Sequence, residues 1–228
     1  THARVVGPAA AEIENAFIDY WNMKPLGLLR RRSRVPVLDD GRPRPWGGPI
    51  QVHRNTPRWK VYPIRNVYLE AIDRASDHIW MTHAYLIPDA HMVQALGDAC
   101  RRGVDVRIIV PAKSNHVVAD WLSRGFYDRL LTLGVRLFLY QDAMVHAKTA
   151  TVDGQWSTIG TANIDRLSLA GNYEVNAEFL DRDVATHMKQ IFEMDMGNCH
   201  ELTLEEWRSR SRWQKAIEEL LASWRPLF

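Results

Sequence analysis

The chain reads as an α/β protein, a mixed β-sheet sandwiched by helices, on three features of its sequence. From residue 60 to residue 200, short β-branched apolar runs alternate with longer segments whose apolar positions recur at helical spacing. Gly103 and Gly134 stop two of the helical segments, and each is followed at once by a strand-like run. Asp153-Gly154 sits between two segments of small and β-branched residues and is a hairpin signal.

The elements follow in order. Residues 1 to 9 read as a strand running into a helix from Ala10 to Trp21, with Ile13, Phe17 and Trp21 on one face. From Met23 to Arg58 no apolar period survives. Arg30-Arg31-Arg32-Ser33-Arg34 and Gly41-Arg42-Pro43-Arg44-Pro45 mark this stretch as a basic, Pro/Gly-rich linker. Asn66 to Ser76 carries a helical stripe of Val67, Ala71 and Ile72, and residues 77–82 follow as a buried strand. A helix from Pro88 to Arg102, a strand over 104–110, a helix from Trp121 to Leu133 and a strand from Val135 to Tyr140 come next. The hairpin pairs residues 147–152 with Trp156 to Ile159, and Tyr173 to Phe179 adds a further strand. The tail, 201–228, places Trp213, Ile217, Leu220, Leu221 and Trp224 on one helical stripe. That stripe suits packing on the domain's own surface or contact with a lipid interface.

Composition narrows the function classes. With 228 residues, 46% of them hydrophobic, the chain can bury a sizeable core. Its 29 basic and 27 acidic residues leave a net charge of only +2, so bulk charge gives no footprint for nucleic acid, and any anion site must be local. Cys100 and Cys199 lie far apart and read as buried thiols of a reducing compartment. No apolar run approaches the ~18 residues that a membrane span needs. His78, His83 and His91 lack metal-ligand spacing, and neither a G-x-S-x-G elbow nor a P-loop is present, so no metal and no cofactor is expected.

The chemistry concentrates in one stretch. His146, Lys148 and Asp153 follow the spacing H-x-K-x4-D, and a turn of small residues through Gly160 and Thr161 reaches Asn163. Residues two apart on a strand project to one face, which would set His146 beside Lys148. An imidazole serves as nucleophile or as acid and base near neutral pH, an ammonium neutralises phosphate oxygens, and an amide adds a hydrogen bond. The target implied is a phosphoryl centre. Gly160 would let main-chain amides approach the anion, with the Thr161 hydroxyl in support. Tyr85, at a strand end where pockets form in α/β sheets, suits a substrate-lining role or a turn.

The run His146-x-Lys148-x4-Asp153-x6-Gly160-Thr161-x-Asn163 resembles the HKD signature of the phospholipase D superfamily, and Asn172-Tyr173-Glu174-Val175-Asn176 strengthens the likeness. Residues 82–89 and Leu202-Thr203-Leu204-Glu205-Glu206-Trp207 are similar to the second half of bacterial cardiolipin synthases. The resemblance implies a phospholipase D-like half-domain over 59–200, the end of a first half over 1–22, the linker over 23–58 and a helical tail over 201–228. It also implies that Glu174 orients His146 and that Asp153 holds the hairpin more than it touches substrate.

Superfamily sites resemble one another in joining two HKD motifs, and this chain carries one. The expected partner is therefore a missing amino-terminal half, or a second copy of the chain in a homodimer. The implied activity is phosphatidyl transfer through a phosphohistidine, making cardiolipin from two phosphatidylglycerol molecules. Hydrolysis to phosphatidic acid, a nuclease and an inactive lipid-binding half are the alternatives. The implied setting is a phospholipid substrate at the cytoplasmic face of a bacterial membrane, with peripheral attachment, any anchor outside this chain, and no nucleic acid partner.

Overall fold

The computed structural model describes residues 1–23, 35–38, 48–57, 60–211 and 213. Helix α1 is Pro8–Met23, β1 is Ile50–Asn55 and α2 is Pro63–Arg74, which starts at a proline whose missing N–H is not needed in the first turn. Strands β2 (His78–His83) and β3 (Leu86–Ile87) lead to α3 (Ala90–Arg101), whose first turn is capped by the Asp89 carboxylate on Met92 N–H. Then come β4 (Asp105–Pro111), α4 (Val117–Arg124), α5 (Tyr127–Thr132) and β5 (Arg136–Tyr140). The hairpin is β6 (Lys148–Val152) and β7 (Trp156–Gly160), followed by β8 (Ile164–Asp165) and α6 (Arg166–Ala170). Then follow β9 (Glu174–Leu180), α7 (Arg182–Met196), β10 (Cys199–Leu202) and α8 (Leu204–Arg208).

Eight strands form one mixed sheet in the order β1-β9-β7-β6-β2-β4-β5-β10. β2, β4 and β5 are mutually parallel, and every other pair in that sheet is antiparallel. One face carries the main core, where Ile72, Leu96 and Leu130 from the helices meet Ile79, Met81 and Ile108. On the other face α7 lays Phe192 against Trp80, with ring centroids 5.2 Å apart, over Ile109 and Phe138. The strands are therefore covered on both sides, as a sheet with parallel crossovers requires.

Several expectations shift. No strand precedes α1. The linker stretch contains β1, an edge strand whose polar His53 and Arg54 gave no apolar alternation because only β9 pairs with it. The single helix expected over 121–133 is two, α4 and α5, broken at Gly125-Phe126. Helix α7 is a further element, capped by the Asp181 carboxylate, which accepts from Asp183 N–H and Val184 N–H. The basic runs at 30–34 and 41–45 and the tail stripe beyond Trp213 lie outside the described residues. Cys100 and Cys199 are free and half-buried.

Register decides where the site falls. His83 ends β2 and pairs with Lys148, the first residue of antiparallel β6. Gly160 ends β7 and pairs with Asn176 near the start of β9. All four thus gather at the carboxyl edge of the parallel strands, where α/β sheets place their ligands.

Candidate active site

His146 stands exposed just ahead of β6, not on it, and Lys148 is the first residue of the strand. The expected side-by-side presentation by one strand is therefore replaced by a bent one. The Lys148 ammonium turns back to donate to the His146 carbonyl at 2.9 Å, which fixes the chain that carries the imidazole. Burial, then the charges of Lys148 and His116, hold the His146 imidazole below its ordinary pKa of 6.5. It is therefore largely uncharged at neutral pH, with its lone pair free to act.

Lys148 is only 8% exposed. Burial lowers its pKa, while the carboxylates of Glu174 and Asp165 draw it back up. Asn163 is also buried, and its Oδ1 has no hydrogen-bond partner among the described residues. A buried amide oxygen left without a partner is uncommon in folded proteins and points to a ligand or to water. Asp165 caps α6 through Ser168 N–H and Oγ–H, at 2.7 and 3.1 Å, and so fixes the turn that delivers Asn163.

Four expected residues take other roles. The Glu174 carboxylate accepts from the Thr161 hydroxyl, and no hydrogen bond joins it to His146; burial raises its pKa. It acts here on Lys148 electrostatically. The Thr161 hydroxyl also accepts from Val175 N–H at 3.0 Å and is thus a brace between the turn and β9. Gly160 is glycine for a packing reason: a Cβ there would lie 2.0 Å from Asn176 Oδ1 and 2.6 Å from Asn176 Cα. Asn176 needs that space because its Oδ1 accepts from Ala162 N–H and its amide donates to Thr158.

Asp153 is separated from the rest. It lies at the far end of β6, roughly 17 Å along the strand from Lys148 at ~3.3 Å per residue. Its carboxylate accepts from the backbone N–H groups of Ser76, Asp77 and His78 and from the Ser76 hydroxyl, at 2.8 to 3.0 Å. In this position it clamps the entry to β2. Tyr85 lies on the site's rim, donating to Asn115 Oδ1 at 2.8 Å with its ring 5.9 Å from that of His116.

Sequence reasoning missed His83 and Tyr68. The His83 ring is fully enclosed, on the same face as its register partner Lys148, and neither ring nitrogen has a partner among the described residues. Burial, then the Lys148 charge, lowers its pKa to about 3, so it is a neutral floor beneath the ammonium. Tyr68 of α2 covers it, ring centroids 5.8 Å apart. A histidine closing a strand with Ile79, Trp80 and Met81 at its centre was the available signal; the register that sets it under Lys148 was not. Among the described residues no cluster of three or more His, Cys, Asp or Glu side chains has metal-binding geometry.

The sheet and the turn it carries define a class, the phospholipase D-like half-domain. A family model described as cardiolipin synthase, PLD-like domain, matches residues 68–196, and the chain belongs to that family. It is 31% identical to cardiolipin synthase A of Pectobacterium carotovorum over 99% of this chain and 46% of that protein. It is also 31% identical to cardiolipin synthase of Oceanobacillus iheyensis, over 97% of this chain and 46% of that one. The chain thus spans about half the length of these relatives.

Among solved structures, Nuc of Salmonella typhimurium, a phospholipase D family member, superposes with a TM-score of 0.57 at 22% identity, covering 68% of this chain and 97% of Nuc. Phosphatidylserine synthase of Haemophilus influenzae gives a TM-score of 0.59 at 12% identity, covering 78% of this chain and 45% of that one. At these identities both bear on the fold alone.

Proposed function

We propose that the chain supplies one half of a phosphatidyltransferase site that makes cardiolipin from two phosphatidylglycerol molecules, the other half coming from an amino-terminal HKD unit or from a second copy. What supports this is an exposed His146, a buried ammonium bonded to its carbonyl, and, on the turn that follows β7, an Asn163 oxygen with no partner among the described residues. The amide itself can turn its N–H side to a phosphoryl oxygen, since the two ends of an Asn side chain are interchangeable in shape. The kinship with cardiolipin synthases supports the choice of lipid.

The exchange takes two displacements. One imidazole attacks phosphorus, an N–P bond forms as the P–O bond to glycerol breaks, and the opposing histidine gives the leaving oxygen its proton. That opposing histidine then takes the proton of the incoming hydroxyl, whose oxygen displaces the enzyme's nitrogen. By resemblance His146 is the acid and base. Its lowered pKa suits the second step, and the negative charge of a bound phosphodiester raises the pKa again for the first. Lys148 and Asn163 hold the charge that builds on the phosphoryl oxygens. Phosphatidyl hydrolysis is the second reading, favoured by the exposure of His146, which leaves water free to act as acceptor.

The test is incubation with labelled phosphatidylglycerol, with and without a co-expressed first half, followed by chromatography of products. Cardiolipin supports transfer and phosphatidic acid supports hydrolysis. Turnover that survives in His146→Ala would overturn the site.

A further inference from the structure

Two loops that leave the sheet at the edge holding His146 carry exposed apolar side chains. One follows β4 and enters α4, where Val117 is 68% and Val118 45% exposed. The other follows β8, and there Leu167 of α6 and Tyr173, just ahead of β9, are both exposed. Each loop also carries an exposed cation, Lys113 on the first and Arg166 on the second. The two are tied together, because Leu86 N–H of β3 donates to Ser123 Oγ of α4 at 3.2 Å and β3 pairs with β8. Val117 adjoins His116, whose ring lies 5.9 Å from that of Tyr85 and whose charge acts on His146. Of the nearby carboxylates, Asp120 is turned to Ser114 N–H at 2.9 Å, and Asp142 stays exposed ahead of β6. The opposite end of the sheet differs: its loops carry Ser76-Asp77, Arg102-Gly103 and Asp153-Gly154-Gln155.

We infer that this edge is the face the chain lays on an anionic phospholipid bilayer, with Val117, Val118, Leu167 and Tyr173 entering the boundary between headgroups and acyl chains while Lys113 and Arg166 meet lipid phosphates. The inference rests on the proposed function and names the surface through which its substrate arrives. Exposed apolar side chains held on neighbouring loops mark a contact surface. Their company decides its kind. The core of a protein interface is poor in lysine, whereas apolar side chains interleaved with cations match the boundary of an anionic bilayer. Position decides further: Asn163 lies three residues before Arg166 on the same turn, so a polypeptide seated on both loops would close off the site that a lipid phosphate has to reach.

Sedimentation of the full chain with vesicles tests this, using equal parts phosphatidylglycerol and phosphatidylcholine against phosphatidylcholine alone. The wild type should bind the anionic vesicles, and bind them less at high salt. Val117→Ser combined with Val118→Ser should weaken that binding about tenfold, Leu167→Ser should weaken it in the same direction, and Lys113→Gln should weaken it about fivefold. Leu180→Ser, at the opposite end of the sheet, should bind as the wild type does, and melting curves select the folded variants. Turnover of short-chain phosphatidylglycerol dispersed as monomers, with the co-expressed first half, separates surface from site. It should survive in the loop variants and vanish in His146→Ala, which should still bind vesicles. Vesicle binding that depends on the two loops in a protein that turns over no lipid leaves the surface standing and overturns the proposed reaction. A wild type that ignores vesicles, binding unchanged in the loop variants, or a change of oligomer mass in them with vesicle binding intact overturns the surface.

Discussion

An imidazole enclosed on all sides makes His83 a sensor of folding as well as the floor under Lys148. Its folded pKa, about 3, lies below the ordinary 6.5, so below pH 6.5 the unfolded chain takes up a proton that the folded chain refuses. Stability from this source is complete above that pH and drains away as acid is added, by roughly 2 kcal/mol at about pH 5. Urea unfolding at neutral and mildly acid pH checks it: His83→Gln should flatten the dependence, and equal slopes in the two proteins would refute the assignment. Asn163 makes the complementary case. Because its Oδ1 bonds nothing among the described residues, Asn163→Ala should leave thermal stability nearly unchanged while lowering kcat by ~10²–10³-fold, the effect of deleting one preorganised group that faces developing charge. Initial rates alongside a melting curve separate the two effects.

The hairpin shows how an element converts sequence into a site. Asp153 and Gly154 both take positive φ, 52° and 62°, the backbone that Asp-Gly announces, in a turn closed by Gln155 N–H on the Val152 carbonyl. The turn was legible for that reason, and so were β6 and β7. Less legible was what a pattern of apolar residues cannot encode. β1 is a polar edge strand, and the break between α4 and α5 falls inside an unbroken apolar period. His146 escaped its strand because Lys148 folds back on its carbonyl. The identity of the chemical groups was readable from H-x-K spacing; their partners depended on register. Two substitutions separate the ends of the hairpin. Asp153→Ala removes an acceptor of four hydrogen bonds and should lower stability by ~1–3 kcal/mol while kcat of the folded protein is retained. Gly160→Ala drives a methyl into the backbone of Asn176, displaces the turn carrying Asn163, and should reduce both stability and activity. Rates normalised to the folded fraction distinguish them.

At the scale of the molecule, the decisive quantity is the number of imidazoles. Attack on phosphorus and protonation of the leaving oxygen need two acid–base groups on opposite sides of the phosphoryl centre, and among the HKD residues this chain contributes only His146. The chain spans 46% of the length of a cardiolipin synthase relative, and a second half is one proposed source of the other imidazole. A second copy of this chain is the other proposed source. Mixing separates the two. If copies pair at random across a two-fold axis, equal amounts of wild type and His146→Ala leave only about a quarter of the pairs with two imidazoles, so activity per wild-type chain falls by about half. If an amino-terminal unit supplies the second histidine, excess His146→Ala chain competes only for that unit, and raising the unit's concentration restores full activity. Rates across a mixing series, read with and without added first half, choose between these arrangements; the sequence poses that choice with its single motif, and the exposed ring of His146 leaves the opposing position open to either partner.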